Sequence, residues 1–423
     1  MRLDQLHIQN FRCYEDATFD FQPGFNLVVG VNGSGKTSLL QAVAAIFEDF
    51  AAATGANQDL VNDRDARFII DNYNERIRFE RQYPISLEAD GYVFGNRSWS
   101  RKRLRGQEFA YPDGELVSAV HQKIDGMNEN KTIDLPLLSF YQANRRWTTA
   151  NVSAEFSATQ RISRLDGYKN WHDAASDIKD FESWLIGKTL EQLQSVHRSP
   201  NVMSVFDDEL CWINSALKFA LPNSTGIYYD LPLRSLLVNL EGHSFVPFNE
   251  LSDGQRGLVA LIADIARRMC ILNPHMGKDV LKKTSGVVII DELDIHLHPA
   301  WQRRIVPALK EAFPKVQFIA ASHSPQIIGS LKPGEVILLN NGDVAHPRVT
   351  YGLDSSRILE EVMGVSEREP EVGTLLNELF STIEDNDLHK AKDQLQALKK
   401  IAPDLPEFAG AQALIRRKEI LGK

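Results

Sequence analysis

The chain has 423 residues, more than one small domain needs and fewer than three ordinary ones of about 150 residues each. Apolar residues make up 43% and charged residues 24%, a globular balance that argues against disordered, collagenous and coiled-coil arrays. A net charge of −9 excludes a surface that is basic all over, so any nucleic-acid contact has to come from a local patch. No apolar run approaches the roughly 20 residues that span a bilayer. Asp4, Glu15 and Asp16 stand where a secretory signal would carry its apolar stretch. Cys13, Cys211 and Cys270 are scattered and form no C-x-x-C pair, so neither a disulfide framework nor a zinc cluster is written here. The expectation is a cytoplasmic protein with no membrane segment.

Alternation predicts strands over 3–9 and 17–21, with Gln22-Pro23-Gly24 as a turn. Residues 25–29 form a short apolar strand running into Gly30. A helix follows from near Gly35, with Leu39, Leu40, Val43, Ile46 and Phe47 on one face. Residues 66–105 alternate as antiparallel strands, and 134–141 reads as a buried strand. From about 145 to 222 the pattern turns helical and polar, with Trp147, Trp171, Trp184 and Trp212 as expected anchors. Strands return at 226–231, and Glu241-Gly242-His243 reads as a hairpin turn between 234–240 and 244–248. Then come a helix (255–272), a strand (286–291), a helix (299–313), a strand (315–321) and a strand pair around Asn341-Gly342. The last 70 residues read as helices. The predicted fold class is α/β, with a mainly parallel sheet, an added antiparallel subdomain, a helical insertion and a helical tail. The expected boundaries are 1–144, 145–225, 226–352 and 353–423.

Gly30-Val31-Asn32-Gly33-Ser34-Gly35-Lys36-Thr37 satisfies G-x-x-x-x-G-K-[ST] between an apolar strand and a helix. Glycines let the backbone N–H groups turn inward on a polyphosphate, and the helix N-terminus adds partial positive charge. Lys36 can reach the β- and γ-phosphates, and Thr37 can offer its hydroxyl to Mg²⁺. Asn32, Gly33, Ser34 and Ser38 complete the expected ATP cradle. The apolar strand Gly286–Ile290 runs into Asp291 and Glu292. A buried parallel strand delivers its last residues to the ligand crevice. Asp291 is therefore expected in the magnesium shell, and Glu292 is expected to orient or deprotonate the attacking water.

Ser252-Asp253-Gly254-Gln255 opens a helix. Ser252 alone would read as an ordinary cap; beside the other motifs, its hydroxyl and the Gly254 N–H suggest a second phosphate clamp. His323, closing the strand after Asp291-Glu292, is expected beside the γ-phosphate.

These motifs, in this order, resemble the ABC-type ATPases, and specifically their RecF/SMC/Rad50-like branch. Ile8-Gln9-Asn10-Phe11-Arg12 before the P-loop and Asp291-Glu292-Leu293-Asp294-Ile295-His296-Leu297-His298-Pro299 carry that likeness. Within the branch the chain is most similar to the Septu (PtuA-like) ATPases of bacterial anti-phage systems. The likeness covers residues 1–50 and about 245–345, and hardly touches the insertion.

The resemblance implies a homodimer or higher homo-oligomer in which two chains sandwich two ATP molecules. Ser252, Gly254 and Gln255 of one chain would then close on nucleotide held by Lys36 of the other, with Asp294 in the loop that crosses the interface. It also implies that Gln142 senses magnesium and water, that Arg12 contacts nucleotide or the partner lobe, and that a separate nuclease, of H-N-H type, is the effector. His296 and His298 share this loop motif and lack carboxylate or cysteine companions, which argues against a metal site. The insertion, about 80 residues, is too short for a Rad50- or SMC-length coiled coil. The tail lacks the strand-borne acids of a TOPRIM nuclease. Asp385-Asn386-Asp387 reads instead as a helix-capping loop.

Arg97, Arg101, Lys102, Arg103 and Arg105, interleaved with Trp99, form a candidate patch for DNA or RNA phosphates, with a solvated hairpin tip or docking surface as the alternative. Leu388, Ala391, Leu395 and Leu398, then Ala411, Leu414, Ile415 and Leu421 (in a last helix read as Ala411–Gly422), predict a helical hairpin around Pro403 and Pro406, packed on the core or on another subunit. The expected role is an ATPase that regulates a nuclease in anti-phage defence, with a RecF-like repair ATPase as the alternative and a transporter subunit disfavoured by the Asp294–Pro299 loop.

Overall fold

The computed structural model describes the chain except residues 57–58, 74–75, 108–109, 130, 146, 148–151, 160, 199–206, 241–244, 341–342, 366–368 and 422–423. The side chains of 71–73, 76–77, 154, 158, 177, 195–198 and 421 are likewise not described. The hairpin turn at Glu241-Gly242-His243, the turn at Asn341-Gly342 and the last residue of the helix read as Ala411–Gly422 lie outside the described residues. Two compact units emerge, Met1–Leu353 and Asp354–Lys423.

In the first unit, β1 (Arg2–Phe11), β2 (Tyr14–Asp20) and β3 (Phe25–Gly30) precede the helix Lys36–Ile46. Then follow β4 (Phe68–Tyr73), β5 (Arg76–Arg81), β6 (Ile85–Val93), β7 (Asn96–Arg103) and β8 (Leu137–Tyr141). After the insertion come β9 (Gly226–Asp230), β10 (Ser235–Asn239), β11 (Phe245–Pro247), β12 (Gly286–Ile290), β13 (Val316–Ala321), β14 (Val336–Asn340) and β15 (Asp343–Ala345). The central sheet has the order β15-β14-β3-β13-β12-β8. All its pairings are parallel except β14 with β15. β12 and β13 are buried at every position, as suits parallel strands covered on both faces. A second, antiparallel sheet runs β2-β1-β6-β7, β4–β5 is a two-stranded ribbon, and β11-β10-β9 is a small third sheet.

This topology gathers the motifs. The P-loop follows β3, His323 lies just past β13, Asp291 and Glu292 follow β12, and Gln142 follows β8. Those four strands are consecutive neighbours in the sheet, and all four point the same way. Parallel strands present their carboxyl ends along one edge, which is where α/β proteins bind ligands.

The insertion folds as the helices Ala154–Thr159, Ile178–Arg198 and Glu209–Ala220 with 3₁₀ turns between. Trp147, Trp171 and Trp184 are buried, as anchors should be. Trp212 is half-buried and donates its indole N–H to Asp207. The helix Gly114–Asn128 is not among the predicted elements; Asp113 caps it by accepting from the N–H groups of Glu115 and Leu116. The second unit differs from the expected hairpin. Its helices Leu388–Ile401 and Glu407–Leu421 share a core with a third, Pro370–Glu384, built from residues such as Leu379, Leu395 and Ile415. Leu414, expected on the apolar face, is exposed. Among the described residues no helix is long and apolar enough to cross a membrane.

Candidate nucleotide site

The P-loop is shaped by three glycines. Gly33 and Gly35 adopt positive φ (82° and 103°), which strains residues bearing a Cβ. At Gly30 a Cβ would lie 2.5 Å from Ser34 Oγ. The helix Lys36–Ile46 starts at Gly35 with no side-chain cap among the described residues, so its first amides are left for a ligand. Ser34 Oγ is buried and without a hydrogen-bond partner, and Lys36 Nζ donates to the carbonyls of Gly30 (3.0 Å) and Val31 (3.1 Å). An orphaned buried hydroxyl, an uncapped helix start and a lysine parked on its own loop fit a phosphate cradle. Burial lowers the pKa of Lys36, against the pull of Glu292, Asp291 and Asp294. Asn32, Gly33 and Thr37 are exposed, and Ser38 is half-buried.

Thr37 Oγ1 donates to Asp291 Oδ2 at 3.0 Å, so hydroxyl and carboxylate already meet as two hard oxygen donors suited to Mg²⁺. Burial raises the Asp291 carboxyl, with Thr37 opposing it. Glu292 takes positive φ (49°), its N–H donating to Asp291 Oδ1 at 3.1 Å. Its carboxylate lies 3.8 Å from His323 Nε2. Burial raises the Glu292 carboxyl, while His323 works in the other direction. Gln142 follows β8 beside Asp291, whose N–H donates to the Tyr141 carbonyl, but its amide donates to the His172 carbonyl at 2.9 Å.

Ser252 forms a capping box with Gln255 and keeps its side chain exposed. Gly254 has no room for a Cβ, which would sit 2.1 Å from the His296 carbonyl oxygen. The loop after Glu292 therefore abuts the start of the helix Asp253–Leu272. Asp294 turns inward: its Oδ1 accepts from Ser322 Oγ (2.5 Å) and from the His323 N–H (3.3 Å). His298 caps the helix Pro299–Ala312 through Nδ1, and His296 is exposed. Arg12 donates through Nε to Asp65 Oδ1 at 2.8 Å. The turn it begins reaches the P-loop through Tyr14, whose hydroxyl donates to the Gly35 carbonyl at 3.1 Å.

The five-residue basic patch is corrected. β7 alternates, and its inward positions are Trp99, Arg101 and Arg103. Arg101 pairs with Glu48 and Asp49, while Arg103 donates to the Val61 carbonyl and pairs with Asp63. Arg97, Lys102 and Arg105 remain exposed, Lys102 paired with Glu88 and Arg105 3.8 Å from Glu80. In the tail, Asp387 accepts from the Lys390 N–H as a helix cap, as the sequence predicts.

Two features escaped the sequence reading. Arg145 donates to the carbonyls of Gln142 (3.1 Å), Asp291 (2.5 Å) and Glu292 (2.8 Å). Asp264, fully buried, accepts from Tyr141 and pairs with Arg267 and Arg268. That network ties the helix Asp253–Leu272 to the last residue of β8. Neither has a spacing motif; the signal for Asp264-x-x-Arg267-Arg268 is only a charged cluster on an otherwise apolar helix.

Residues 25–329 match the family model described as AAA domain, putative AbiEii toxin, Type IV TA system. The Escherichia coli protein named Retron Ec83 probable ATPase is 24% identical over 88% of this chain and 78% of its own length. The Septu protein PtuA of Bacillus mycoides is 22% identical over 96% of this chain, which spans about half (52%) of that relative. The SMC head domain from Thermotoga maritima aligns at 13% identity with a TM-score of 0.42, over 82% of this chain and 98% of that one. The chain belongs to this AAA-domain family and is an ABC-type ATPase related to the retron and Septu defence ATPases.

Proposed function

We propose that two copies of this chain close on two ATP molecules and, through that closure, regulate a separate nuclease in a bacterial anti-phage complex. One observation carries the reading: the phosphate cradle, the Thr37–Asp291 pair, Glu292 and His323 stand on neighbouring strand ends. Lys36 and the loop amides would hold the β- and γ-phosphates, and Thr37 and Asp291 would hold Mg²⁺, with Gln142 joining by giving up the His172 carbonyl. The ion would offset charge developing on the phosphoryl oxygens. Glu292 would orient the water, with His323 beside it. Ser252, Gly254 and Gln255 would complete the site of the partner copy, supported by the exposed Ser252 hydroxyl at a helix start.

A defence role is favoured over repair because the retron and Septu relatives align along most of the chain, whereas the RecF protein of Protochlamydia amoebophila aligns over 17% of it. Asp387 of the tail caps a helix, and among the described residues no group of three or more His, Cys, Asp or Glu could hold a metal ion, so the pure chain with ATP and Mg²⁺ should release phosphate and leave DNA and RNA intact. Degradation by both the wild type and Glu292→Gln, prepared alike, would place a nuclease within the chain.

Site sharing is tested by mixing. Lys36→Ala should weaken ATP binding, and Ser252→Arg should block the second clamp while the Ser252→Arg chain itself still binds nucleotide. Alone, both should be nearly inactive. Mixed in equal amounts, they form heterodimers with one intact composite site, so phosphate release should partly recover. No recovery despite demonstrated subunit exchange would overturn independent composite sites.

A further inference from the structure

We infer that Arg145 is the positioning residue of this ATPase, holding the Asp291-Glu292 turn in the conformation that aims the Glu292 carboxylate at the attacking water. The inference deepens the reading of Glu292 given above and rests on it.

The geometry is unusual for a surface-type cation. One guanidinium spans three backbone carbonyls, those of Gln142, Asp291 and Glu292, and so joins the ends of two adjacent strands, β8 and β12. The Glu292 backbone needs such a restraint. At φ 49° it sits in the left-handed region, which is unfavourable for a residue with a Cβ and persists only when its surroundings hold it. Within this turn the Glu292 N–H is held by Asp291 Oδ1, the Asp291 carbonyl by Arg145, and the Glu292 carbonyl by Arg145 together with the Ile295 N–H (3.0 Å). Removing Arg145 takes the guanidinium from both carbonyls and leaves the peptide before Glu292 with the Asp291 Oδ1 contact, while the peptide after it keeps its bonds to Ile295 and Ala321. The carboxylate, three bonds further on, would then lose its direction toward the γ-phosphate edge. Burial lowers the Arg145 pKa to about 10, with Asp291, Asp294 and Glu292 opposing the shift, so the guanidinium is still charged at neutral pH. Arg145 touches backbone oxygens in this turn and acts through Glu292, not on substrate.

Arg145 also lines a cavity of about 320 Å³ between the start of the helix Asp253–Leu272 and the loop after Glu292, walled by Trp147, Arg256, Leu293 and His296. That space matters for the test, because it offers a small cation a way back to the three carbonyls when the side chain is cut away.

Arg145→Ala should lower kcat on the order of 100-fold, the scale of a misdirected catalytic group, while ATP affinity stays within about threefold. Guanidinium chloride at tens of millimolar should restore at least a tenth of the lost rate, measured against sodium chloride at equal ionic strength. Arg145→Lys, whose compact ammonium lacks the planar fork, should stay impaired without added cation. A purely structural arginine gives a different pattern: kcat and ATP binding fall together with melting temperature, and guanidinium does not help. That pattern, or a kcat within about threefold of wild type, overturns the inference. Should Arg145→Ala melt early, the same comparison is made on Arg145→Gln, whose amide keeps most of the side chain's volume. Glu292→Gln, assayed in parallel, separates the two readings. If it turns ATP over normally, the role of Glu292 itself falls; if it is inactive while Arg145→Ala is not, only the positioning role falls.

Discussion

Glu292→Gln is expected to bind ATP as the wild type does and to hydrolyse it slower by a factor on the order of 10² to 10⁴, the usual share of a positioned acid–base group. The substitution is nearly isosteric, so the backbone at φ 49°, the Arg145 contact to the carbonyl and the Thr37–Asp291 pair can all persist. What is lost is a carboxylate 3.8 Å from His323, and with it the group that can accept a proton from water or fix its lone pairs. Lys36→Ala should behave in the opposite way, losing affinity first, because its ammonium acts on the phosphates in the ground state as well as in the transition state. The two variants are distinguished by nucleotide binding and phosphate release measured on the same preparations. Glu292→Gln turnover within a few-fold of wild type would remove Glu292 from the chemistry and turn attention to His323.

The site was legible where the chemistry imposes a local spacing. Gly30–Thr37 is contiguous because a loop must wrap one polyphosphate, and Asp291-Glu292 is contiguous because one strand end delivers both. The apolar strands around them were legible for the same reason, since burial on both faces writes an unbroken run such as Gly286–Ile290. Arg145 was not legible. Its partners are carbonyls, which every residue carries, and two of them lie nearly 150 positions away. Asp294 shows a second limit: its loop could be recognised, but the sequence does not say that its carboxylate turns back onto Ser322 and His323. The basic patch failed through periodicity. A count of cations within nine residues ignores that a strand sends alternate side chains to opposite faces, and β7 puts Arg101 and Arg103 on the buried one.

That burial leads to the second large effect. Arg101→Ala should destabilise the first unit by about 3–5 kcal/mol, the cost of stripping the partner from buried charge. Arg101 is 7% exposed and pairs with Glu48 and Asp49, themselves 2% and 4% exposed. Both carboxylates are otherwise held by backbone N–H groups, Glu48 by that of Leu60 and Asp49 by that of Asp113, which cannot replace a full positive charge. Burial pushes the Glu48 carboxyl up to about 7 even with Arg101 opposing it, and burial raises Asp49 as well. A raised carboxyl contributes stability below its unfolded value, 4.5 for Glu48, and that contribution is lost as pH rises through the folded value near 7. Without Arg101 the carboxylates can escape their unpaired charge only by taking up protons. The deficit of Arg101→Ala should therefore be largest at pH 8 and shrink toward pH 5. Lys102→Ala, one position away on the exposed face and paired with Glu88, should change stability by about 0–1 kcal/mol, as a surface ion pair does. Urea unfolding at the two pH values measures both. An Arg101→Ala chain as stable as wild type, yet weaker in binding a labelled oligonucleotide, would return Arg101 to the surface and restore the phosphate-binding reading of β7.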